Sequence, residues 1–378
     1  MKAKQLLLAV AFLSVTMIGT AQDAQTLYNQ GTELKEAGKS FDAIEKFKQA
    51  LQQKPDYGEA AYEIGWCYND IKDYPSALIY LKKARPYVGS WARLHFETGY
   101  AFSKLKNTDS AIAEFNTVIS ISSTYSLAYK ELGNIAYDKE DYKAQVDYWN
   151  KYEQNTQKEI TDYLYWYRKG FAQNALKDHN NAISSLLKSE EFKNDYTNTY
   201  LELGFASMKL KKDDDAIAYY KKAMDLDPKS HIPYNGIAEV YRDIKKDCTE
   251  AINWYSKALE VNPKERKAHF GIGYCSNSAG KYNDAIDHLK TAIEQEPTYT
   301  AAYVELGYAY YQTGNNDDAM TQLNQALKLN PKNENARYYA GLVYIKRNDK
   351  VNAQRMVDEL KALSSRNADN LQAKVNAM

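Results

Sequence analysis

The chain has 378 residues, 44% of them apolar, and its 49 basic side chains are matched by 49 acidic ones. Such a length can bury a sizeable core, but balanced charge leaves no basic stripe to displace counterions from phosphates, which excludes a nucleic-acid carrier. The compositional anomaly is 34 tyrosines against 10 phenylalanines.

Residues 1–21 read as a secretory leader. Lys2 and Lys4 precede an apolar run from Leu6 to Ile18, which ends in Gly19-Thr20-Ala21 with small residues where an export peptidase cuts. The run is shorter than the roughly 20 residues a bilayer span needs. Gln22, not cysteine, follows the cut, so nothing supports a lipid anchor. The mature chain, with 47 basic and 49 acidic groups, is expected to have no membrane span. Its expected location is the periplasm, with secretion or surface association as alternatives.

A small residue then recurs as Gly31, Gly65, Gly99, Gly133, Gly170, Gly204, Ala238, Gly273, Gly307 and Gly341, at steps of 34, 34, 34, 37, 34, 34, 35, 34 and 34. Only a tandem array of one unit produces this. The ninth unit shows its content. Tyr303, Leu306, Gly307 and Tyr310 share one face of a first helix, which predicts helix A over 302–312. Gly314 ends that helix, Ala319, Leu323 and Ala326 mark helix B, and Asn330-Pro331 stops it.

These positions resemble the tetratricopeptide repeat family, with its 34-residue unit, small residue on helix A, early alanine on helix B and exit proline. The alanine recurs as Ala43, Ala77, Ala111, Ala182, Ala216, Ala251, Ala285, Ala319 and Ala353, and the proline as Pro55, Pro228, Pro263, Pro297 and Pro331. The resemblance implies an all-α protein, an α-solenoid forming a right-handed superhelix of about ten helix pairs. It covers residues 24 to about 367, in an array of 22–367, with units starting near 24, 58, 92, 126, 163, 197, 231, 266, 300 and 334. Residues 368–378 read as a capping helix with Leu371 and Val375 turned inward.

The fourth unit departs most. It reads as having a turn one residue short before Ala144 and a longer helix B through Tyr148, Trp149 and Tyr152, stretching its period to 37. Ordinary drift is one reading, and a hinge or docking site at 138–162 is the other. Cys67 and Cys275 lie six repeats apart, too far for a disulfide. Cys248 and Cys275 belong to adjacent units, where a disulfide between them is one reading, yet buried or idle thiols are the preferred expectation.

Catalytic chemistry finds no purchase. His95, His179, His231, His269 and His288 are scattered without a metal-binding HExxH pair, and His95 and His269 share an inner packing position. Asp213-Asp214-Asp215 suits a helix start, and Gly271-Ile272-Gly273 is too short for a dinucleotide fingerprint. No enzyme, cofactor or metal is expected.

In the proteins this chain resembles, positions 5, 9 and 12 of helix A line the concave face. Carried over, they make a candidate partner-binding groove of Tyr62, Trp66 and Asn69; Phe96 and Tyr100; Lys130, Asn134 and Tyr137; Tyr167, Phe171 and Asn174; Phe270, Tyr274 and Asn277; and Tyr308 and Tyr311. Rings bury area at low entropic cost and amides satisfy a ligand backbone. Lys130 and Asn134 have the first spacing of the carboxylate clamp of chaperone-binding members, but Phe171 replaces its next asparagine, and Asn198 and Leu201 supply no cation. The expectation is a non-enzymatic interaction scaffold of the cell envelope that holds a peptide or partner protein in this groove; the alternative is a glycan-binding envelope component.

Overall fold

The computed structural model describes residues 23–378, all of them helix, turn or link with no strand among the described residues. The leader expected over residues 1–21 lies outside the described residues. Ten antiparallel helix pairs follow one another. Repeat 1 pairs a helix over 23–36 with Ser40–Gln53, repeat 2 pairs Gly58–Asp70 with Tyr74–Val88, and repeat 3 pairs Ala92–Lys104 with Thr108–Ile121. Repeat 4 is Ser126–Asp138 and Tyr142–Asn155, repeat 5 Tyr163–Ala175 and His179–Phe192, and repeat 6 Thr197–Lys209 and Asp213–Leu226. Repeats 8, 9 and 10 pair Arg266–Ser278 with Tyr282–Gln295, Thr300–Gln312 with Asn316–Leu329, and Glu334–Lys346 with Lys350–Ala362. Contacts group these elements into two units, residues 1–161 and 162–378. Repeats 1 to 4 belong to the first and repeats 5 to 10 to the second.

Within each unit the recurrent small residue sets the distance between helices A and B. A Cβ placed on Gly65, Gly170, Gly273 or Gly307 would stand 2.5–2.7 Å from Cγ of Leu81, Leu186, Leu289 or Leu323, and 3.1–3.4 Å from the carbonyl oxygen of the early alanine on helix B. Only a residue without a side chain lets the backbones approach this closely while a leucine fills the seam. The alanines Ala77, Ala182, Ala285 and Ala319 are fully buried.

Repeat 7 absorbs its additional residue inside helix A. Ile232–Val240 runs into a π-helical turn, Tyr241–Lys245, and the left-handed residue that closes the turn is Lys246. The amide of Asp247 reaches back to Tyr241 O, six residues, where Asp73 reaches Tyr68 O, five residues, in repeat 2. One inserted residue widens one turn and leaves helix B, Cys248–Val261, in register.

Repeat 4 corrects the sequence reading in two respects. Its A–B turn has the ordinary three residues, because Gln145, fully buried, occupies the place of the early alanine and Ala144 lies one position before it. Its helix B is 14 residues long, as in repeat 3. The longer period comes from the link at 156–162, which has seven residues where the link between repeats 3 and 4 has four. The two units part at the end of this link.

The preferred expectation for the cysteines also fails. Cys248, at the start of helix B of repeat 7, forms a disulfide with Cys275 of repeat 8 across a Cα separation of 5.2 Å. The register of adjacent repeats brings these positions together, which no spacing rule along the chain conveys. Cys67 is a buried free thiol, its pKa raised to about 12 by burial. After repeat 10, the helix Asn367–Asn376 buries Leu371 and Val375, and Leu371 fills the space above Gly341.

Candidate partner-binding surface

The three positions of the aromatic and amide stripe have separate roles. Rings at position 5 are largely committed to packing against the residue that leads into the next repeat. Tyr62, Tyr167 and Phe270 stand against Trp91, Tyr196 and Tyr299, each the last residue of its own repeat, at 5.8, 5.1 and 4.9 Å between centroids. All three contacts are edge-to-face, the arrangement that ring quadrupoles favour. Phe96 meets Tyr125 at 5.3 Å with the rings tilted at 34°.

The asparagines at position 12 are buried and their donors are engaged. The Nδ2 group of Asn69 donates to Glu97 O at 3.0 Å and Glu97 Oε2 at 2.8 Å. Asn174 does the same to Glu202 at 3.1 and 2.8 Å, and Asn277 to Glu305 at 3.0 and 3.0 Å. Each bond crosses from one repeat to the next over 28 residues. These amides clasp adjacent helices A and do not present their NH2 groups to a ligand, which alters the role drawn from sequence. The glutamates were missed there, although the constant Asn-to-Glu spacing is visible in the chain.

Burial pushes the Glu97 carboxyl up to about 7, with the Glu63 charge adding to the rise while the bond from Asn69 and the charge of Lys35 oppose it. Glu202 and Glu305 are raised for the same principal reason. A carboxyl that keeps its proton to higher pH when folded favours the folded state at low pH. That contribution fades as pH rises from the unfolded value of 4.5 through about 7. Glu97→Gln retains an acceptor for Asn69 and removes the charge. It is expected to be about 1–2 kcal/mol more stable than the parent at pH 8.5 and equal to it near pH 5, read by urea unfolding. An equal difference at both values would separate the effect from ionisation.

Position 9 remains the accessible part of the stripe. Trp66 and Tyr100 are half-buried and, with Asn69, Asp70, Lys72, Phe96 and Glu97, line a cavity of about 260 Å³ between repeats 2 and 3. Phe171 and Phe205 flank a second cavity of about 560 Å³ between repeats 5 and 6, with Asn174, Lys177, His179 and Glu202 among its walls. Tyr274 is 40% exposed and Tyr308 is half-buried.

The remaining sequence candidates do not join these cavities. Lys130 lies over the Tyr152 ring at 5.9 Å, and Asn134 donates to Glu131 at 3.4 Å. Tyr137 is half-buried, and Tyr311 lies under the Lys346 ammonium at 5.1 Å. His95 and His269 are structural in their contacts: His95 bridges Glu114 and Gly89 O, and His269 bridges His288 and Pro263 O. Among the described residues, no cluster of three or more His, Cys, Asp or Glu is placed to hold a metal ion, and no helix is long and apolar enough to cross a membrane.

Helix pairs stacked in register, with small residues at their crossings, define an α-solenoid. Family models described as tetratricopeptide repeat match residues 28–89, 92–125, 198–230, 245–300, 277–328 and 304–362. The chain belongs to the tetratricopeptide repeat family, whose members bind protein partners and are in general scaffolds, not enzymes. It is 25% identical over 187 residues, 48% of its length, to anaphase-promoting complex subunit 6 of Arabidopsis thaliana, and spans 34% of that protein. Among solved structures it is similar to PilW, a type IV pilus biogenesis factor, at 17% identity and a TM-score of 0.51, covering 56% of this chain and 98% of that one. PilF of Pseudomonas aeruginosa matches at 15% identity and a TM-score of 0.51, covering 56% and 97%. At these identities the likeness to both structures is one of fold.

Proposed function

We propose that this chain is a non-enzymatic scaffold of the cell envelope that holds a peptide or a segment of a partner protein against the position-9 rings. The observation that carries the reading is the placement of Trp66 and Tyr100, and of Phe171 and Phe205, at the walls of inter-repeat cavities while the rings at position 5 and the asparagines at position 12 are engaged in packing and clasping. Large rings of this kind concentrate binding energy in few residues. Export is part of the proposal. It rests on the leader pattern of residues 1–21, and the Cys248–Cys275 disulfide is in keeping with an oxidising compartment.

A photocrosslinking amino acid at Tyr100, used in cells, is expected to capture one defined envelope polypeptide from a protein whose mature end is Gln22. Trp66→Ala with Tyr100→Ala should weaken that partner at least tenfold. Full retention by the double variant would remove these rings from the site, and a retained Met1 would refute cleavage. A glycan ligand is the second reading, favoured by the carboxyl groups beside the rings, and retention on an oligosaccharide resin in place of protein capture would select it.

A further inference from the structure

The clasped junctions recur with a period of three repeats. Position 9, position 12 and position 17 hold Trp66, Asn69 and Tyr74 in repeat 2; Phe171, Asn174 and His179 in repeat 5; and Tyr274, Asn277 and Tyr282 in repeat 8. No other repeat carries a ring, an asparagine and a ring at these places. Each position-17 ring stands edge-on to the position-9 ring of the following repeat. The centroid distances are 6.2 Å for Tyr74–Tyr100, 5.8 Å for His179–Phe205 and 6.1 Å for Tyr282–Tyr308. The fold repeats every helix pair, so a threefold period in ring, asparagine and ring is not required by the fold.

We propose that the chain carries three copies of one docking site, at the junctions of repeats 2–3, 5–6 and 8–9, each taking an apolar side chain flanked by acidic residues in a partner polypeptide. This rests on the polypeptide reading given above. Charge complementarity selects the acidic flanks. Lys72 and Lys177 are exposed beside the first two cavities, both in the left-handed turn that closes helix A. Lys104 and Lys209 hold their ammonium groups 4.8 and 5.2 Å from the Tyr100 and Phe205 rings. The chain's own cations thus cover the ring faces on which a ligand lysine or arginine would stack. The acidic groups are engaged internally: Asp70 accepts from Ser40 Oγ at 2.6 Å, and the clasp glutamates accept from asparagine.

The third junction has Gly280 and Gln312 where the others have these lysines. It keeps the rings and the clasp but loses the charge. Two tighter, salt-dependent sites and one weaker, salt-insensitive site follow.

The test is calorimetric titration of the mature chain with the end-capped peptide Ac-Asp-Glu-Phe-Asp-Glu-NH2, whose caps remove any terminal carboxylate. Two tight equivalents are expected, weakening about tenfold between 50 and 300 mM NaCl, with a third, weaker equivalent unaffected. Lys72→Glu with Lys104→Glu should delete one tight equivalent and Lys177→Glu with Lys209→Glu the other, with unchanged circular dichroism because all four side chains are exposed. A single equivalent, no saturable binding, or loss by neither pair overturns the proposal. Tighter binding of Ac-Lys-Arg-Phe-Lys-Arg-NH2 overturns the acidic assignment and leaves the polypeptide reading intact, whereas preference for cellohexaose overturns both.

Discussion

Gly307→Leu is expected to destabilise the repeats around it by about 2–4 kcal/mol. The new Cβ alone would stand 2.7 Å from Leu323 Cγ and 2.8 Å from its Cδ2, with the Ala319 carbonyl oxygen at 3.3 Å. Leu323 and Ala319 are both fully buried, so the leucine has nowhere to swing and the carbonyl belongs to a helix that cannot yield locally. Helices Thr300–Gln312 and Asn316–Leu329 must then separate. Because repeat stability is a sum of local and nearest-neighbour terms, the loss should appear in urea unfolding as an early transition of the C-terminal repeats. Gly307→Ala supplies the graded control, with a smaller loss of about 1–2 kcal/mol from the same contacts. A leucine variant that unfolds like the parent would contradict the close helix approach.

The same contacts explain what the chain disclosed in advance. Glycine, alanine and proline act locally, on one crossing or one turn, so helix pairs could be placed from Gly307, Ala319 and Pro331 without knowledge of the neighbours. Features that depend on the neighbouring repeat were hidden. The stripe of positions 5, 9 and 12 reads as one surface on a single helix, yet Tyr62 meets Trp91 at the far end of its repeat, and Asn69 meets Glu97 only once the next repeat is stacked. The Cys248–Cys275 pair could be named from adjacent units, but whether it forms depends on the same stacking. Extra residues mislead in another way, since they can enter a helix, as at Tyr241–Lys245, or a link, as at 156–162, and the period alone does not distinguish them. Glycine pairs carry more than they first convey. Gly271 is required because its Cβ would fall 2.2 Å from the Tyr255 ring, and the equivalent Gly236 faces Tyr220. Where the seam holds a tyrosine, position 6 of the next repeat has no room for the clasp glutamate.

Trp149→Ala is expected to cost about 3–5 kcal/mol and to unfold repeat 4. Trp149 is 1% exposed and fills the seam opposite Gly133, whose added Cβ would lie only 2.1 Å from the indole. Its Nε1–H donates to Lys130 O at 3.2 Å, so truncation removes a large apolar volume and a donor together. Leucine or phenylalanine serves at this seam in most other repeats, and here the bulkier indole accompanies Gln145 in place of the usual alanine. The two departures belong to one packing solution, which the family models, matching 92–125 and then 198–230, pass over. Trp149→Phe separates volume from hydrogen bonding: it should recover more than half of the loss if filling the seam dominates. Thermal and urea unfolding of the three proteins measure this directly. A loss below about 1 kcal/mol for the alanine variant would mean that repeat 4 is not held by this residue and that Trp149 and Gln145 do not form one packing solution.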